Sequence, residues 1–138
     1  LTAEYLSQSF RFFRTARSQG TDILSLCADR GWTRVALAGR SDFVEILTLC
    51  FGDHAVEIVG VVDRSPGGTI AGLPVVGDLD DLAPVDAVII SDLSNPQASF
   101  ERFRARVPEG RVLTAPFMGV SESDVSVSSG SPKMEEGA

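Results

Sequence analysis

The sequence predicts an α/β domain, an open sheet of five parallel strands with helices on both faces and one helix before it. Short, almost wholly apolar runs such as Glu57–Val62 (EIVGVV) and residues 86–90 (DAVII) are typical of parallel strands buried on both faces. Segments with apolar residues at helical spacing lie between these runs. This alternation implies right-handed crossovers, and the predicted strand order is 3-2-1-4-5.

The N-terminal segment predicts two consecutive helices. Apolar residues recur at helical spacing over residues 2–18 with no interrupting glycine or proline, and Gly20 is predicted to end this first helix. Thr21 or Asp22 is predicted to cap a second, shorter helix, which Gly31 stops.

The first helix carries an aromatic face that is too apolar for a solvated surface. Phe10 and Phe13 share this face, and we expect them to pack on a second copy of the chain or across the sheet edge. Arg11, Arg14 and Arg17 are expected on the opposite, solvated side of the helix. The favoured prediction is a homodimer formed through this helix.

The remaining elements follow in order along the chain. Their apolar stripes predict helices packed on the sheet, and a proline at the first turn of the last one suits a helix start. The predicted strands are residues 34–38, 57–62, 73–77, 86–90 and 111–115, and the helices are residues 43–50, 78–82 and 96–106. Expected domains are a linker or dimerisation helix (1–20), the sheet domain (21–120) and a disordered serine-rich tail (121–138).

Composition excludes several classes of function. The formal net charge of −7 argues against wrapping nucleic acid, which requires clustered Lys and Arg. Cys27 and Cys50 lack C-x-x-C spacing and predict buried thiols in a reducing compartment, and His54, the only histidine, excludes a multi-histidine metal site. No apolar run approaches the roughly 18 residues of a membrane span, so a cytoplasmic location is expected. Because the chain begins at Leu1 and not at Met, we expect a processed chain or a segment of a larger protein.

The turn after the first strand decides how the sheet could bind a ligand. Ligands of open α/β sheets bind beyond the carboxyl ends of the strands, here between the first and fourth strands. Set against G-x-G-x-x-G, the turn supplies Gly39 but places Ser41 and Val44 at the other two positions, where a pyrophosphate and a closely packed helix need glycine. Asp42 and Glu45 predict a D-x-x-E cap that would satisfy the amides a phosphate requires.

Two further groups of polar residues are expected at the same crevice. Asp63 ends the second strand near the spacing at which an acid meets a ribose hydroxyl, or it simply starts the following turn. After the fourth strand, polar side chains could contact a ligand, or Ser94 or Asn95 caps the next helix. The predicted ligand-contacting residues are Gly39, Arg40, Ser41, Asp63, Arg64, Ser91 and Asp92. No catalytic or metal-binding residue is predicted, and the acids at 78–81 are interpreted as a solvated helix start.

Four motifs carry a resemblance to a known family: RVALAG, EIVGVVDR, IAGLPVVGDLDDL and VDAVIISD. Residues 23–115 resemble the small Rossmann-like, CoA-binding-like domain at the front of bacterial sugar acyltransferases and polysaccharide-biosynthesis proteins, also appended to some methyltransferases and regulators. The resemblance implies a glycine-rich first turn and an acid that faces a nucleotide or nucleotide-sugar. Gly39 and Asp63 match these positions, whereas Ser41 and Val44 do not. Left-handed β-helix repeats are absent from the sequence, so acyltransferase activity is not implied.

The favoured function is a non-catalytic ligand-sensing or accessory module of a larger bacterial protein, such as a transcriptional regulator. The expected ligand is a nucleotide, a nucleotide-sugar or a CoA-like molecule, and nucleic acid would be contacted only through another domain of that protein. One alternative is the cofactor half of an NAD(P)-dependent oxidoreductase or epimerase, although Tyr5 and Lys133, the only residues of their types, form no Tyr-x-x-x-Lys pair. Another is a protein-interaction domain without a ligand.

Overall fold

The computed structural model describes residues 3–50, 55–108 and 110–121 of the chain. Within these ranges it contains three α-helices, a six-stranded sheet and two single-turn 3-10 helices. In chain order the elements are α1 (Ala3–Asp29), β1 (Arg34–Ala38), α2 (Asp42–Cys50), β2 (Glu57–Val62), β3 (Thr69–Ile70), β4 (Leu73–Val76), a 3-10 helix (Leu79–Asp81), β5 (Ala87–Ile90), α3 (Pro96–Arg104), β6 (Val112–Leu113) and a 3-10 helix (Pro116–Met118).

The sheet has the order β3-β4-β2-β1-β5-β6, and all its neighbours are parallel except β3 and β4. The α/β class is therefore confirmed, and without β3 the order is the predicted 3-2-1-4-5. The five-strand count was wrong. β3 pairs with β4 through a two-residue turn in which Ala71 and Gly72 have φ of 52° and 81°, as a tight hairpin requires. A two-residue strand is too short to leave a pattern in the sequence.

The N-terminal segment is one helix of 27 residues, about 40 Å long, and not two. Gly20 does not end it, and Thr21 and Asp22 lie inside it. Gly20 is buried, and a Cβ there would lie 3.0 Å from Cδ2 of Leu47, so this glycine allows α1 to pack closely on α2. Gly31, with φ of 74°, follows the end of the helix as predicted.

The three phenylalanines of α1 have different environments. Phe12 packs edge-on against Phe117, with ring centroids 5.6 Å apart, whereas Phe10 and Phe13 are 67% and 37% exposed. Arg14 follows Phe10 by four residues and Arg17 follows Phe13 by four, so these arginines lie beside the exposed rings. The expectation that all three arginines lie opposite the phenylalanines was therefore wrong.

The sheet separates two hydrophobic cores. Alternate residues of each strand point to opposite faces, so Val35 and Leu37 of β1 join the core beneath α1 and α2. Ala38 of β1 and Ile90 of β5 join the core beneath α3, to which Phe100 and Phe103 belong. The fold thus leaves the carboxyl ends of β1, β2 and β5 at one edge, bordered by α3.

Two C-terminal elements are shorter than predicted. The last strand is Val112–Leu113 and not residues 111–115, and α3 ends at Arg104 and not at residue 106. The predicted disordered tail lies outside the described residues except Ser121, whose amide donates to Oε1 of Gln97. None of the described helices is both long and apolar enough to cross a membrane.

Candidate functional site

A cleft of about 320 Å³ lies where the carboxyl ends of β1, β2 and β5 meet. Its walls are the ends of β1 and β2, the loop at residues 63–65, polar residues between 92 and 99, and two side chains further along α3. This is the switch point at which ligands of open α/β sheets bind. Five of the seven predicted site residues line it, namely Gly39, Arg40, Asp63, Arg64 and Asp92.

Gly39 at the end of β1 is required by packing within the protein. Its φ is 111°, and its amide donates to the carbonyl of Val62 at 2.8 Å. A Cβ at this position would lie 2.6 Å from Cβ and 2.8 Å from N of Asp92, closer than real atoms approach. The glycine therefore lets the turn contact the backbone after β5, which accounts for it without a phosphate.

The two predicted serines, Ser41 and Ser91, lie behind the cleft and do not line it. Oγ of Ser41 accepts from the amide of Phe43 at 3.1 Å and donates to the carbonyl of Ser91 at 2.5 Å. Oγ of the fully buried Ser91 donates to the carbonyl of Gly39 at 2.7 Å. These reciprocal bonds join the turn after β1 to the end of β5.

The cap of α2 is Ser41, one residue earlier than the predicted Asp42. The Ser41 hydroxyl satisfies an amide of the first turn, which is the role assigned to the Asp42 carboxylate from the sequence. The exposed Asp42 and Glu45 lie in that first turn, where their charge favours the helix dipole. The cap prediction had the right consequence, an engaged helix start, but the wrong residue.

Arg40 ties the turn to the loop after β2. Its amide donates to Oδ1 of Asp63 at 3.0 Å, and its guanidinium donates to the carbonyls of Ser65, at 2.7 and 3.2 Å, and Gly67, at 2.8 Å. The Arg40 and Asp63 side chains are 3.7 Å apart and 37% and 21% exposed, so their ion pair adds little stability. The carbonyl bonds fix the loop.

Asp63 starts the turn after β2, which is one of the two interpretations left open by the sequence. While Oδ1 binds the amide of Arg40, Oδ2 accepts from the amide of Ser65 at 2.9 Å. Both carboxylate oxygens therefore have a donor within the protein. A carboxylate has about four acceptor positions, so room remains for a ligand hydroxyl.

Asp92 organises the loop between β5 and α3. Oδ1 accepts from the amide and hydroxyl of Ser94, at 2.9 and 2.8 Å, and from the amide of Asn95 at 3.2 Å, while Oδ2 accepts from the Ser99 hydroxyl at 2.8 Å. Burial raises the pKa of Asp92, but these hydrogen bonds outweigh it and hold the pKa below 3.8. Asn95 caps α3 by accepting from the amide of Ala98, as one sequence interpretation predicted.

The sequence missed the side chains that α3 brings to the cleft. Ser99, Arg102 and Phe103 line it, and the guanidinium of Arg102 lies over the Phe103 ring, 4.7 Å from its centroid. Their spacing of three and four residues places them on one helix face, which was a usable signal. That this face borders the end of β1 depends on how the helix crosses the sheet.

The acids between residues 78 and 81 form a helix start, as predicted. Asp78 accepts from the amide of Asp80 at 2.9 Å and from Arg106 at 3.1 Å. In the part of the chain that the structure describes, no group of three or more His, Cys, Asp or Glu residues is arranged to hold a metal ion.

Comparisons with protein-family models, with curated proteins and with solved structures find no match to this chain.

Proposed function

We propose that this chain is a non-catalytic, Rossmann-like module that binds a small polar ligand for a larger bacterial protein, such as a transcriptional regulator. The observation that carries the proposal is the cleft at the switch point of the sheet, where exposed arginines face acids that the protein itself satisfies. Such a surface is suited to binding, and its ligand class is a nucleotide, a nucleotide-sugar or a CoA-like molecule.

The hydrogen bonds that engage the Asp63 and Asp92 carboxylates favour a binding role for the cleft over acid-base catalysis. A general acid or base works best with a pKa near the operating pH. The pKa of Asp92 is instead held below 3.8, because hydrogen bonds to its charged form outweigh its burial. Both oxygens of Asp63 accept amide hydrogens and position a loop.

The alternative of an NAD(P)-dependent oxidoreductase half is weakened by the turn after β1. Dinucleotide sites use the amides of this turn and the start of the next helix to bind a pyrophosphate. Here the amide of Arg40 binds Asp63, the amide of Phe43 binds Ser41, and Gly39 is covered by Asp92. The other alternative is a protein-interaction domain without a ligand. The exposed ring of Phe10 supports it, but this ring lies on α1 and does not line the cleft.

Amide-resolved NMR titration tests the proposal. The ¹⁵N-labelled chain would be titrated separately with adenosine 5′-monophosphate, a uridine diphosphate-sugar and coenzyme A. We expect at least one compound to shift the amides of residues 63–65 and 92–99, saturably, and to be recovered chemically unchanged. Absence of any saturable shift at the cleft with all three compounds would contradict the proposed function, and conversion of a compound would contradict its non-catalytic nature.

We further propose a reducing, cytoplasmic setting. Cys27 and Cys50 are free and buried, as is typical of proteins from reducing compartments. Burial raises the pKa of Cys27 to about 11, with Arg30 opposing and Asp86 reinforcing the shift, so the thiol is protonated and unreactive at neutral pH. Thiol counting under denaturing conditions without a reductant should find both cysteines reduced, and an oxidised pair would argue against this setting.

A further inference from the structure

We infer that the cleft binds a phosphomonoester group between the guanidinium groups of Arg64 and Arg102, and not at the start of α2. This inference rests on the proposed ligand-binding function and specifies the chemistry of the same site. It follows from which charged groups of the cleft are already engaged within the protein and which face its open volume.

The two acids of the cleft are held in place by donors of the protein itself. Four hydrogen bonds from Ser94, Asn95 and Ser99 converge on the Asp92 carboxylate. The Asp63 carboxylate accepts two amide hydrogens and lies 3.7 Å from Nε of Arg40. These hydrogen bonds stabilise the charged carboxylates in place but do not remove their charge, so an anion is attracted because three arginines line the cleft against two acids.

Among the three arginines that line the cleft, Arg40 is committed to the protein. Its guanidinium donates three hydrogen bonds to the carbonyls of Ser65 and Gly67 and shapes the loop. Arg64 is exposed on that loop, and Arg102 is exposed on α3 with its guanidinium resting on the Phe103 ring. The cleft therefore has a cation on the β2 side and a second, ring-supported cation on the α3 side.

The usual anion site of this architecture is closed by the protein's own groups. A phosphate at the start of α2 would compete with Asp63 for the amide of Arg40 and with Ser41 for the amide of Phe43. It would also need space beside Gly39, where Asp92 already packs. We therefore expect the donors for an anion in the cleft to come mainly from side chains.

Two guanidinium groups favour a phosphate dianion over a single carboxylate. Each guanidinium presents a planar fork that can donate two parallel hydrogen bonds to an oxyanion, and a phosphomonoester has three terminal oxygens and close to two charges at neutral pH. The volume of about 320 Å³ is near the lower end for ligand pockets and suits a mononucleotide or sugar phosphate.

The test compares ligands that differ only in the phosphate. The cleft amides of the ¹⁵N-labelled chain would be followed during titration with adenosine 5′-monophosphate, adenosine, inorganic phosphate and succinate at constant ionic strength. We expect the monophosphate to bind at least about tenfold more tightly than adenosine, as for a lost charge-assisted hydrogen bond. Inorganic phosphate should shift the same amides, and succinate should bind more weakly.

Variants distinguish this site from general electrostatic attraction. Arg64→Ala and Arg102→Ala should each weaken the monophosphate about tenfold without weakening adenosine. Arg34→Ala is the matched control, because Arg34 is exposed at the opposite end of β1 and its loss changes the net charge equally. Arg64→Lys should restore part of the affinity.

The outcomes separate this inference from the proposed function. If adenosine binds at the cleft as tightly as the monophosphate, or if the Arg64 and Arg102 variants behave like Arg34→Ala, the phosphate site is wrong while the ligand-binding function stands. If succinate matches the monophosphate, the site takes carboxylates and the inference is wrong. If no probe of this series shifts the cleft amides, the phosphate site is wrong, and the proposed function is contradicted as well if the uridine diphosphate-sugar and coenzyme A also fail to shift them.

Discussion

Gly39 allows the turn after β1 to pack on the residue after β5, because its missing side chain makes room for the backbone of Asp92. The same glycine occupies the first position of the G-x-G-x-x-G pattern. Sequence alone predicted five residues that line the cleft, because residues that follow parallel strands meet at one edge of the sheet. It could not predict that Ser41 and Ser91 bind each other, since that contact joins residues 50 positions apart.

The first prediction concerns the space beside Gly39. Gly39→Ala should lower the free energy of unfolding by about 3 kcal/mol, because positive φ and an overlap with backbone atoms both disfavour a Cβ. Gly31→Ala is the control, since Gly31 also has positive φ but open space around it, and should cost about 1 kcal/mol. Urea denaturation measures both, and equal costs would show that the overlap with Asp92 is relieved cheaply.

The second prediction is a pH dependence set by Asp92. The hydrogen bonds to its carboxylate hold its folded-state pKa below 3.8, so its contribution is complete above about pH 4 and is lost as the pH falls through the folded-state pKa. Asp92→Asn should therefore lower stability by about 1 to 2 kcal/mol at pH 7, and by less at pH 3. A difference between wild type and variant that stays constant from pH 7 to pH 3 would contradict this origin.

Among the elements, α1 departs most from what its sequence predicts. Glycine ordinarily weakens a helix interior by about 1 kcal/mol, so Gly20 indicated a helix end. Packing against Phe43 and Leu47 overrides that preference, because a Cβ at Gly20 would lie 3.0 Å from Cδ2 of Leu47 and would push the Leu47 side chain aside. The long strands and α2 were predictable because their apolar patterns are local, whereas β3 has two residues and its pairing depends on a turn.

The third prediction is that α1 mediates a homodimer. Phe10 and Phe13 expose aromatic surface, and in an antiparallel pair Arg14 and Arg17 can stack on the partner's rings. Phe10 and Phe13 are 67% and 37% exposed, so in each copy they offer about one ring's worth of surface, and burying it in both copies is worth roughly 3 to 6 kcal/mol. We expect the wild type to sediment as a dimer at tens of micromolar. The double variant Phe10→Glu, Phe13→Glu should be a folded monomer.

The control for the dimer is Asp29→Lys, which changes the charge at an exposed position of the same helix, about four turns beyond Phe13, and should leave the dimer intact. A wild type that stays monomeric at tens of micromolar would refute self-association through α1. A double variant that unfolds would show that these rings belong to the monomer's own core.

At the scale of the whole molecule, the order of the strands could be predicted from the sequence, whereas the side chains that line the cleft could be predicted only in part. The sheet order followed from alternating patterns in the sequence, and it fixes where a ligand can bind. The cleft is lined by side chains from the turn after β1, the loop after β2, the loop after β5 and α3. The spacing of Ser99, Arg102 and Phe103 shows that they share a helix face, but not that this face borders the cleft. Our central claim is that the turn after β1 is a structural corner closed by Asp63, Asp92 and Ser41.

Calorimetric titration with NADH tests that claim most directly, because a dinucleotide needs the amides and the close backbone approach that these residues occupy. The expected dissociation constant is no tighter than about 0.1 mM, or about −5.5 kcal/mol, since the pyrophosphate would have to displace internal hydrogen bonds. A micromolar dissociation constant would show that the turn opens to admit a pyrophosphate, and would contradict the account.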